Sequence, residues 1–476
     1  MTQPTITHDP RFDPGKVYKA AVIGAGSGGL TLAIGLAGFG HDIALIEGGA
    51  VGGDCTNVGC IPSEALLHAA HAGLDDPFGY VRKLRDDLNR DEDHEMVEHE
   101  QIHLVRGHAK LTKKTGDDHV IDVTGADGTV VQVRAEHVGI STGSLPVQFP
   151  FDGLDPDRVL TNETVFELPQ VPDKTVMVGG GVVSMEMATA FRDLGGEVHI
   201  VELADRVMGN DDPLVSSTIQ AALEARGVTF HIGTSIERFD GTTAHLGDGT
   251  TIDDVDKVLL AVGRRPRVDG LGLEEAGVEF SKRGIVADSW GKTSVEDVWA
   301  VGDVTGNTAT THGANSIARR TIRAIALPLP TVGGPRVQAN AVYSRPEIAS
   351  VGISMDELNA LGASGRRRLE VRLADIDRGY TDGVEHGVVM VDVERFSGKV
   401  LRAAIVGPGA AEMIGMFTLM IDHGIGLRKV FGQVHPYPSY SMAIGKLADE
   451  FAGETYRAIH KEWFAMARSR VRQRFS

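Results

Sequence analysis

The chain carries one short pattern twice, and this repeat limits its fold more than any other feature. In each copy a short apolar strand runs into a glycine-rich turn, a helix, a second strand and a terminal acid. The first copy extends from Tyr18 to Glu47 and the second from Thr175 to Glu202. Such glycines let the backbone turn tightly, approach a pyrophosphate and pack a helix on a strand. The repeat therefore predicts an α/β protein with two Rossmann-like dinucleotide-binding domains.

The two copies differ in ways that bear on the ligand. The first has the full G-x-G-x-x-G spacing, and its acid lies 23 residues beyond the first glycine, where a carboxylate accepts hydrogen bonds from a ribose. The second has Ser184 in place of the third glycine and ends at Glu202. An acid there favours a free 2′-hydroxyl, so we expect NADH rather than NADPH, although Arg206 could weaken that preference. One dinucleotide would be a prosthetic group and the other an exchangeable reductant.

A pair of cysteines follows the first copy at once. Cys55 and Cys60 are the only two cysteines in 476 residues, and four residues separate them. A stabilising disulfide gains most from closing a long loop, so this short loop favours a dithiol that opens and closes during a reaction. Pro62 and Ser63 indicate a helix start, whose N-terminus would favour a thiolate. The alternative interpretation is two buried free cysteines.

The rest of the chain is less specific. Residues 1–17 read as a flexible lead-in, 75–101 as a solvated helix, and 102–140 and 227–262 as antiparallel meanders. His94, His99 and His103 do not repeat a clean helical face, so no metal site is predicted. Residues 328–335 resemble a linker, and 336–476 mix strand and helix patterns as an α+β unit without a nucleotide motif.

Composition excludes several classes of function. Net charge is −18, which argues against general nucleic-acid or anionic-membrane binding, because both need a basic surface. Hydrophobic content of 42% is ordinary for a globular protein, and no run approaches a membrane span. With no export signal and no structural disulfides, the cytoplasm is the expected location.

The order of these parts resembles the FAD-dependent pyridine nucleotide–disulfide oxidoreductases, the family of dihydrolipoamide dehydrogenase, glutathione reductase and mercuric reductase. The signature is the stretch 52–63, and 342–352 looks like the opening of the family's dimerisation domain. The resemblance implies a discontinuous FAD domain at 18–152 and 280–335, an NAD(P) domain at 153–279 and an α+β dimerisation domain at 336–476.

The resemblance also assigns cofactor-binding residues. For FAD these are Gly24, Gly26, Gly29, Glu47, Gly53, Thr142, Gly143, Gly302, Asp303 and His312. For the nicotinamide dinucleotide they are Gly179, Gly181, Glu202 and Gly263. The implied reaction has two halves: NADH gives a hydride to FAD, and the flavin reduces the Cys55–Cys60 disulfide. Cys60 would be the thiolate in charge-transfer contact with the flavin and Cys55 the interchange thiol. A homodimer that shares its active site across the interface is expected.

Three departures from the family pattern affect the expected chemistry. Glu64 replaces a lysine that pairs with Glu186, which would put two carboxylates together near the flavin. In the family's C-terminal His–Glu base, Tyr437 stands at the histidine and Met442 at the glutamate, so either His435 serves as the base or it only packs at the interface. Tyr437 looks more like mercuric reductase, but the chain has no C-terminal cysteine pair.

Three interpretations follow. The first is a flavoenzyme that passes electrons from NADH through Cys55 and Cys60 to a metal ion, a quinone, an oxidant or an unusual disulfide. The second is a dihydrolipoamide dehydrogenase-like enzyme with His435 as base. The third is a flavin-binding redox sensor that no longer turns over, for which Glu64 is the favouring feature.

Overall fold

The structure is a computed structural model, which describes residues 9–307, 310–327 and 337–474. The chain divides into two compact units. The first unit comprises Met1–Gly179, Asp193–Glu197 and Ile236–Pro335, and the second comprises Gly180–Arg192, Val198–Ser235 and Arg336–Ser476. The predicted α/β fold is confirmed, and the boundaries predicted for the three domains stay predictions.

The helices alternate with strands along most of the chain. They are α1 Ser27–Ala37, α2 Gly53–Asn57, α3 Cys60–Ala72, α4 Pro77–Glu98, α5 Val182–Asp193, α6 Pro213–Ala225, α7 Leu273–Ala276, α8 Thr311–Ala326, α9 Met355–Ala360, α10 Gly362–Gly365, α11 Asp377–Thr381, α12 Ala410–Asp422, α13 Leu427–Val430 and α14 Met442–Arg474.

The strands are short, as in most α/β proteins. They are β1 Val17–Ile23, β2 Ile43–Glu47, β3 Ile102–Arg106, β4 His108–Leu111, β5 His119–Thr124, β6 Val130–Ile140, β7 Ser144–Pro146, β8 Val159–Leu160, β9 Lys174–Val178, β10 Glu197–Glu202, β11 Val228–Ile232, β12 Ile236–Asp240, β13 Thr243–Leu246, β14 Thr251–Ile252, β15 Lys257–Leu260, β16 Arg264–Pro266, β17 Phe280–Ser281, β18 Gly284–Ile285, β19 Val298–Ala300, β20 Ala339–Val342, β21 Ile348–Gly352, β22 Arg366–Arg372, β23 Val388–Glu394 and β24 Val400–Val406.

The main sheet of the first unit has the order β3-β2-β1-β6-β5-β4. Strands β1, β2, β3 and β6 run parallel, and β19 pairs in parallel with the last three residues of β6. Their carboxyl ends therefore meet at one edge, where ligands bind in open α/β sheets. Buried aliphatic side chains cover both faces, and α1, α4 and α8 contribute to the core on one of them.

The remaining sheets include both parallel and antiparallel pairs. In the first unit β8 and β9 run parallel to β15, and β12, β13 and β14 form an antiparallel sheet. In the second unit β10 pairs in parallel with β11. That unit also holds an antiparallel sheet of order β20-β21-β24-β23-β22, whose core includes residues of α12 and α14.

Three local predictions differ from the structure. Residues 9–16 are not a flexible lead-in, because Asp9 is buried and ion-paired with Arg11. The two meanders are only partly antiparallel, since β3 and β11 join parallel pairs. The buried His103 lies on β3 rather than on the charged helix. The last helix extends to Arg474, and the linker predicted at 328–335 lies outside the described residues.

Candidate active site

The first glycine-rich turn leaves β1 at the ligand-binding edge of the main sheet. Gly24 has a φ of 100°, and a Cβ there would lie 2.3 Å from the carbonyl oxygen of Ser141. A Cβ at Gly29 would lie 1.9 Å from the carbonyl oxygen of Gly24. At Gly26 the nearest described atom would be 3.7 Å away, on Gly53. Packing therefore requires the outer two glycines, whereas the middle one leaves open space beside the backbone.

Glu47 ends β2 beside this turn. One carboxylate oxygen accepts a hydrogen bond from the backbone N–H of Ala25 at 2.6 Å, and the other accepts one from Gly49 at 2.6 Å. A carboxylate has about four acceptor positions, so both oxygens retain capacity for ribose hydroxyls. The acid therefore fixes the turn and presents acceptors at its mouth.

Glu202 repeats this arrangement in the second unit. Its carboxylate accepts from the backbone N–H of Gly180 at 2.5 Å and of Ala204 at 2.7 Å. The guanidinium of Arg206 donates to the carbonyl of Gly209 at 2.8 Å and faces Asp205 at 3.4 Å. The described bonds of Arg206 are thus to its own loop.

The two cysteines lie on consecutive helices at the same sheet edge as the first turn. Cys55 is on α2 and Cys60 is the first residue of α3. Both are free thiols, with Cys60 exposed and Cys55 partly buried. The backbone N–H of Gly52 donates to the carbonyl of Ala25 at 2.9 Å, which fastens the cysteine loop to the glycine turn. The dithiol is therefore held next to the open space beside Gly26.

The two sulfurs are electrostatically unequal. A hydrogen bond from the Cys55 thiol lowers the pKa of Cys60 to about 6, and Thr311 adds a further hydrogen bond with its hydroxyl oxygen 3.5 Å from the sulfur. The hydrogen bond to Cys60 and burial raise the pKa of Cys55. The N-terminus of α3 also favours negative charge on its first residue. Cys60 is therefore the sulfur that ionises first.

Helix α8 brings Thr311 to this site across more than 250 positions of sequence. Thr310 caps the helix by accepting from the backbone N–H of Gly313 at 3.2 Å. Near its start, Asn315 accepts hydrogen bonds from Ser27 and Thr31 of α1. The predicted residue His312 is exposed on the first turn of α8. Thr311 had no recognisable signal in the sequence.

A polar network lies behind the cysteines. Asp54 pairs with Arg264, whose Nε donates to the hydroxyl of Ser144 at 2.7 Å. That hydroxyl donates to Asp303 at 2.8 Å. Burial raises the pKa of Asp303. The network links the predicted Asp303, in the turn that follows β19, to the residue just before Cys55. The sequence analysis did not identify Arg264, although it follows the predicted Gly263.

The face of α4 that contacts the cysteine loop was also missed. Asn89 donates to the carbonyl of Val51 at 2.5 Å, and the carboxylate of Glu92 accepts from the Thr56 hydroxyl at 3.2 Å. Asp93 pairs with Arg106, which donates to the carbonyl of Gly49 at 2.8 Å. The charged composition of 75–101 predicts a solvated helix, and nothing in its pattern marks this face.

The other predicted glycines take conformations that favour glycine. Positive φ values occur at Gly53, Gly143, Gly179, Gly263 and Gly302. The Thr142 hydroxyl donates to the carbonyl of Arg267 at 2.8 Å. Around Gly181 no described atom would lie within 4 Å of an added Cβ. Their assigned roles in binding stay predictions.

The residues named in the departures from the family pattern are distributed over both units. Glu64 is exposed on α3. In the second unit Glu186 is buried and accepts from the backbone N–H of Tyr343 at 3.0 Å. Tyr437 is exposed, and a hydrogen bond to Asp377 raises its pKa. The predicted approach of Glu64 to Glu186 stays a prediction.

His435 packs against the start of α14. Its ring lies 3.1 Å from where a Cβ on Gly445 would stand, and its buried Nε2 has no hydrogen-bond partner among the described residues. This contact agrees with a packing role and does not test an acid/base role.

Comparison with known proteins decides the family. Residues 18–318 match the family described as pyridine nucleotide-disulphide oxidoreductase, and residues 338–448 match its dimerisation domain. The chain belongs to the pyridine nucleotide-disulphide oxidoreductases. Members of this family are FAD-dependent enzymes, and this protein is accordingly an oxidoreductase flavoenzyme with a disulfide redox centre.

Relatives of this oxidoreductase are similar along nearly their whole length. Dihydrolipoyl dehydrogenase 3 of Pseudomonas putida is 31% identical over 91% of this chain and 98% of its own. Mercuric reductase of Streptomyces lividans is 31% identical over 92% and 97%. A solved copper(II) complex of the HOCl-induced flavoprotein disulfide reductase RclA from Escherichia coli has a TM-score of 0.83 and 25% identity, over 91% of this chain and 99% of its own.

The residues at the sheet edge fit FAD. The space beside Gly26 suits the approach of a pyrophosphate to the backbone, and Glu47 keeps acceptor capacity for a ribose. Across the described residues, no helix is long and apolar enough to cross a membrane, and no group of three His, Cys, Asp or Glu side chains is placed to hold a metal ion.

Proposed function

We infer that this oxidoreductase uses Cys55 and Cys60 as a dithiol–disulfide couple that takes electrons from NADH and delivers them to an acceptor. The observation that carries this proposal is the unequal pair of thiols beside the cofactor turn. Cys60 has its pKa lowered to about 6 by the hydrogen bond from Cys55, while Cys55 stays protonated. Such asymmetry would let Cys60 carry the negative charge while Cys55 reacts with the acceptor.

The chain's own residues would take part in the reduction of the disulfide, in the stabilisation of the thiolate and in its re-oxidation by the acceptor. Reduction breaks the S–S bond with two electrons and one proton, leaving a Cys60 thiolate and a Cys55 thiol. Thr311 and the N-terminus of α3 hold the negative charge on Cys60. Cys55 then meets the acceptor, and the S–S bond re-forms when the acceptor has taken both electrons. FAD, when bound, would relay the electron pair between the nicotinamide and the sulfurs.

Support for FAD binding in the first unit comes from Gly24, Gly26, Gly29, Glu47 and Asp303. The pairing of β19 with β6 supports a discontinuous FAD domain, at 18–152 and 280–335, because it places Asp303 at the same edge as the glycine turn. The match of residues 338–448 to the dimerisation domain supports a homodimer.

NADH is the proposed reductant. Glu202 presents a carboxylate beside the second glycine turn, where it would accept from a free 2′-hydroxyl and repel a 2′-phosphate. The described bonds of Arg206 are to Gly209 and Asp205, which leaves the acid as the dominant charge of this loop.

The acceptor is proposed to be one that needs no C-terminal His–Glu base: a metal ion, a quinone, an oxidant or an unusual disulfide. The support is that Tyr437 is exposed and hydrogen-bonded to Asp377, and that Met442 cannot act as a carboxylate. The similarity to a mercuric reductase and to a reductase solved with copper(II) agrees with this class.

The test compares acceptors with NADH as reductant, in wild type and in Cys55→Ser. Mercuric, cupric and quinone acceptors are set against lipoamide and glutathione disulfide. We expect wild type to turn over with the mercuric, cupric or quinone acceptors, and we expect this turnover to fall at least about tenfold in Cys55→Ser. High turnover with lipoamide alone would instead support a dihydrolipoamide dehydrogenase-like enzyme with His435 as base. An enzyme that NADH does not reduce at all would point to a redox sensor.

A further inference from the structure

Glu92 is an acidic residue close to the dithiol that the proposed reaction does not use. Helix α4 carries it to the cysteine loop, where its Oε1 accepts from the hydroxyl of Thr56, the residue after Cys55. Its Oε2 is buried and has no hydrogen-bond partner among the described residues. A carboxyl group is costly to bury in this way, so its position calls for an explanation.

The cysteine loop is shaped around this carboxyl group. Gly52 has a φ of 93°, and a Cβ there would lie 2.2 Å from Oε2 of Glu92 and 2.5 Å from the Cβ of Thr56. Oε2 therefore occupies the space that the missing side chain of Gly52 leaves open. Asn89 lies three residues before Glu92 on α4 and fixes the same helix face by donating to the carbonyl of Val51. The carboxyl group is held in place by both elements.

We propose that Glu92 is a positioning residue that adds to the difference between the two sulfurs, by opposing a thiolate at Cys55 and so favouring the negative charge on Cys60. This inference rests on the dithiol function proposed above. It assigns the site a same-subunit acidic group that acts through Cys55 and does not touch the acceptor.

The electrostatic interactions agree with this geometry. Burial raises the pKa of Glu92; the hydrogen bond from Thr56 lowers it, and the charge of Glu95 raises it further. Glu92 is among the groups that raise the pKa of Cys55, together with Cys60 and burial, while Thr311 opposes them. Because the coupling of two acids is reciprocal, a thiolate at Cys55 would in turn favour a protonated Glu92. Each of the two groups therefore disfavours the ionisation of the other.

The test uses the fact that the chain has only two cysteines. In Cys60→Ser the single remaining thiol is Cys55, whose alkylation by iodoacetamide can be followed by intact mass at pH 5–10. Adding Glu92→Gln removes the charge with almost no change of volume. We expect the alkylation rate near pH 8 to rise about fivefold, because the repelling carboxylate is gone and the thiolate fraction grows.

The pH dependence separates this effect from a structural one. Below its raised pKa Glu92 is neutral, as the glutamine of the variant is at every pH, so the two rates should converge as pH falls and diverge as pH rises. Glu92→Asp should recover part of the wild-type rate, whereas Glu95→Gln, the same charge change one turn away, should leave the rate within about twofold. A loosened loop would instead raise the rate at every pH.

Two outcomes would overturn different statements. If Glu92→Gln changes neither the rate nor its pH dependence while Cys60 remains the faster thiol of the reduced wild type, Glu92 has no positioning role. If the reduced wild type shows no fast thiol at all, or forms no Cys55–Cys60 disulfide on oxidation, the dithiol function itself is wrong.

Discussion

At the scale of single residues, the acidity of Cys60 should depend on Thr311. The hydroxyl lies 3.5 Å from the sulfur, and when Cys60 is a thiolate only the hydroxyl can donate in this pair. Thr311→Val removes that donor with little change of shape, so the pKa of Cys60 should rise by about one unit. The wild-type thiolate is present above pH 6 and is lost as pH falls through its lowered pKa of about 6. Alkylation of Cys60, followed in the reduced protein that keeps Cys55, should therefore slow most near pH 6–7.

The matched control for this substitution is Thr31→Val. Thr31 is on α1 and donates at 3.0 Å to Asn315, which lies on α8 with Thr311. Its replacement removes a hydrogen bond between α1 and α8 and leaves the sulfur contact intact. Equal pH profiles for Thr311→Val and wild type would show that the hydroxyl does not stabilise the thiolate.

Glu202 supports a second prediction at this scale. Its carboxylate stands beside Gly180, where a 2′-phosphate would be repelled. Wild type should have a higher kcat/KM for NADH than for NADPH, and Glu202→Gln should reduce that ratio about tenfold. Steady-state kinetics with both reductants measure it. Glu224→Gln, the same charge change on α6, should leave the ratio unaltered; a wild-type preference for NADPH would contradict the assignment.

The sequence predicted these residues unequally. Cys55, Cys60 and Glu47 lie within one local stretch, and their spacing is sufficient to predict them as site residues. Thr311, Arg264 and Glu92 come to the site through folding, from 251, 210 and 36 positions away from their partners. Their residue types are also common on surfaces, so no local pattern distinguishes them.

At the scale of elements, the geometry of the cysteine loop depends on Gly52. Its φ of 93° is unfavourable for other residues, and a Cβ would meet Glu92 and Thr56. Gly52→Ala should therefore lower the free energy of unfolding by about 2–4 kcal/mol through strain and overpacking combined. It should also reduce turnover, because α2 would have to shift. Denaturant titration and NADH-dependent activity measure the two effects.

Gly73 provides the control for that substitution. It ends α3 with a φ of 65°, and no described atom would lie within 4 Å of its Cβ. Gly73→Ala should cost only the backbone strain, about 1 kcal/mol, and should leave activity unchanged. A similar loss of activity in both variants would mean that the crowded site around Gly52 is not essential to the loop.

The strands and turns were easier to predict than the way in which the strands pair. The apolar strands and glycine turns of both nucleotide units lie where the pattern put them. The residues 102–140 and 227–262 alternate in polarity as hairpin strands do, but β3 and β11 pair in parallel with strands that precede an intervening helix. Alternation reports which face is buried and not which neighbour a strand takes.

At the scale of the whole molecule, the order of parts was sufficient for the family. The chain matches that family over 18–318 and its dimerisation domain over 338–448. The departures at Glu64 and Tyr437 concern the flavin and the acceptor, and neither family match assigns these residues a role.

The central claim is that electrons pass from NADH to an acceptor through Cys55 and Cys60, and anaerobic titration with NADH tests it most directly. The flavin spectrum of the holoenzyme is followed in wild type and in Cys60→Ser. The claim predicts that wild type develops a long-wavelength thiolate–flavin absorbance band and that the variant does not. Identical bleaching of the flavin in both proteins would place the disulfide outside the electron path and contradict the claim.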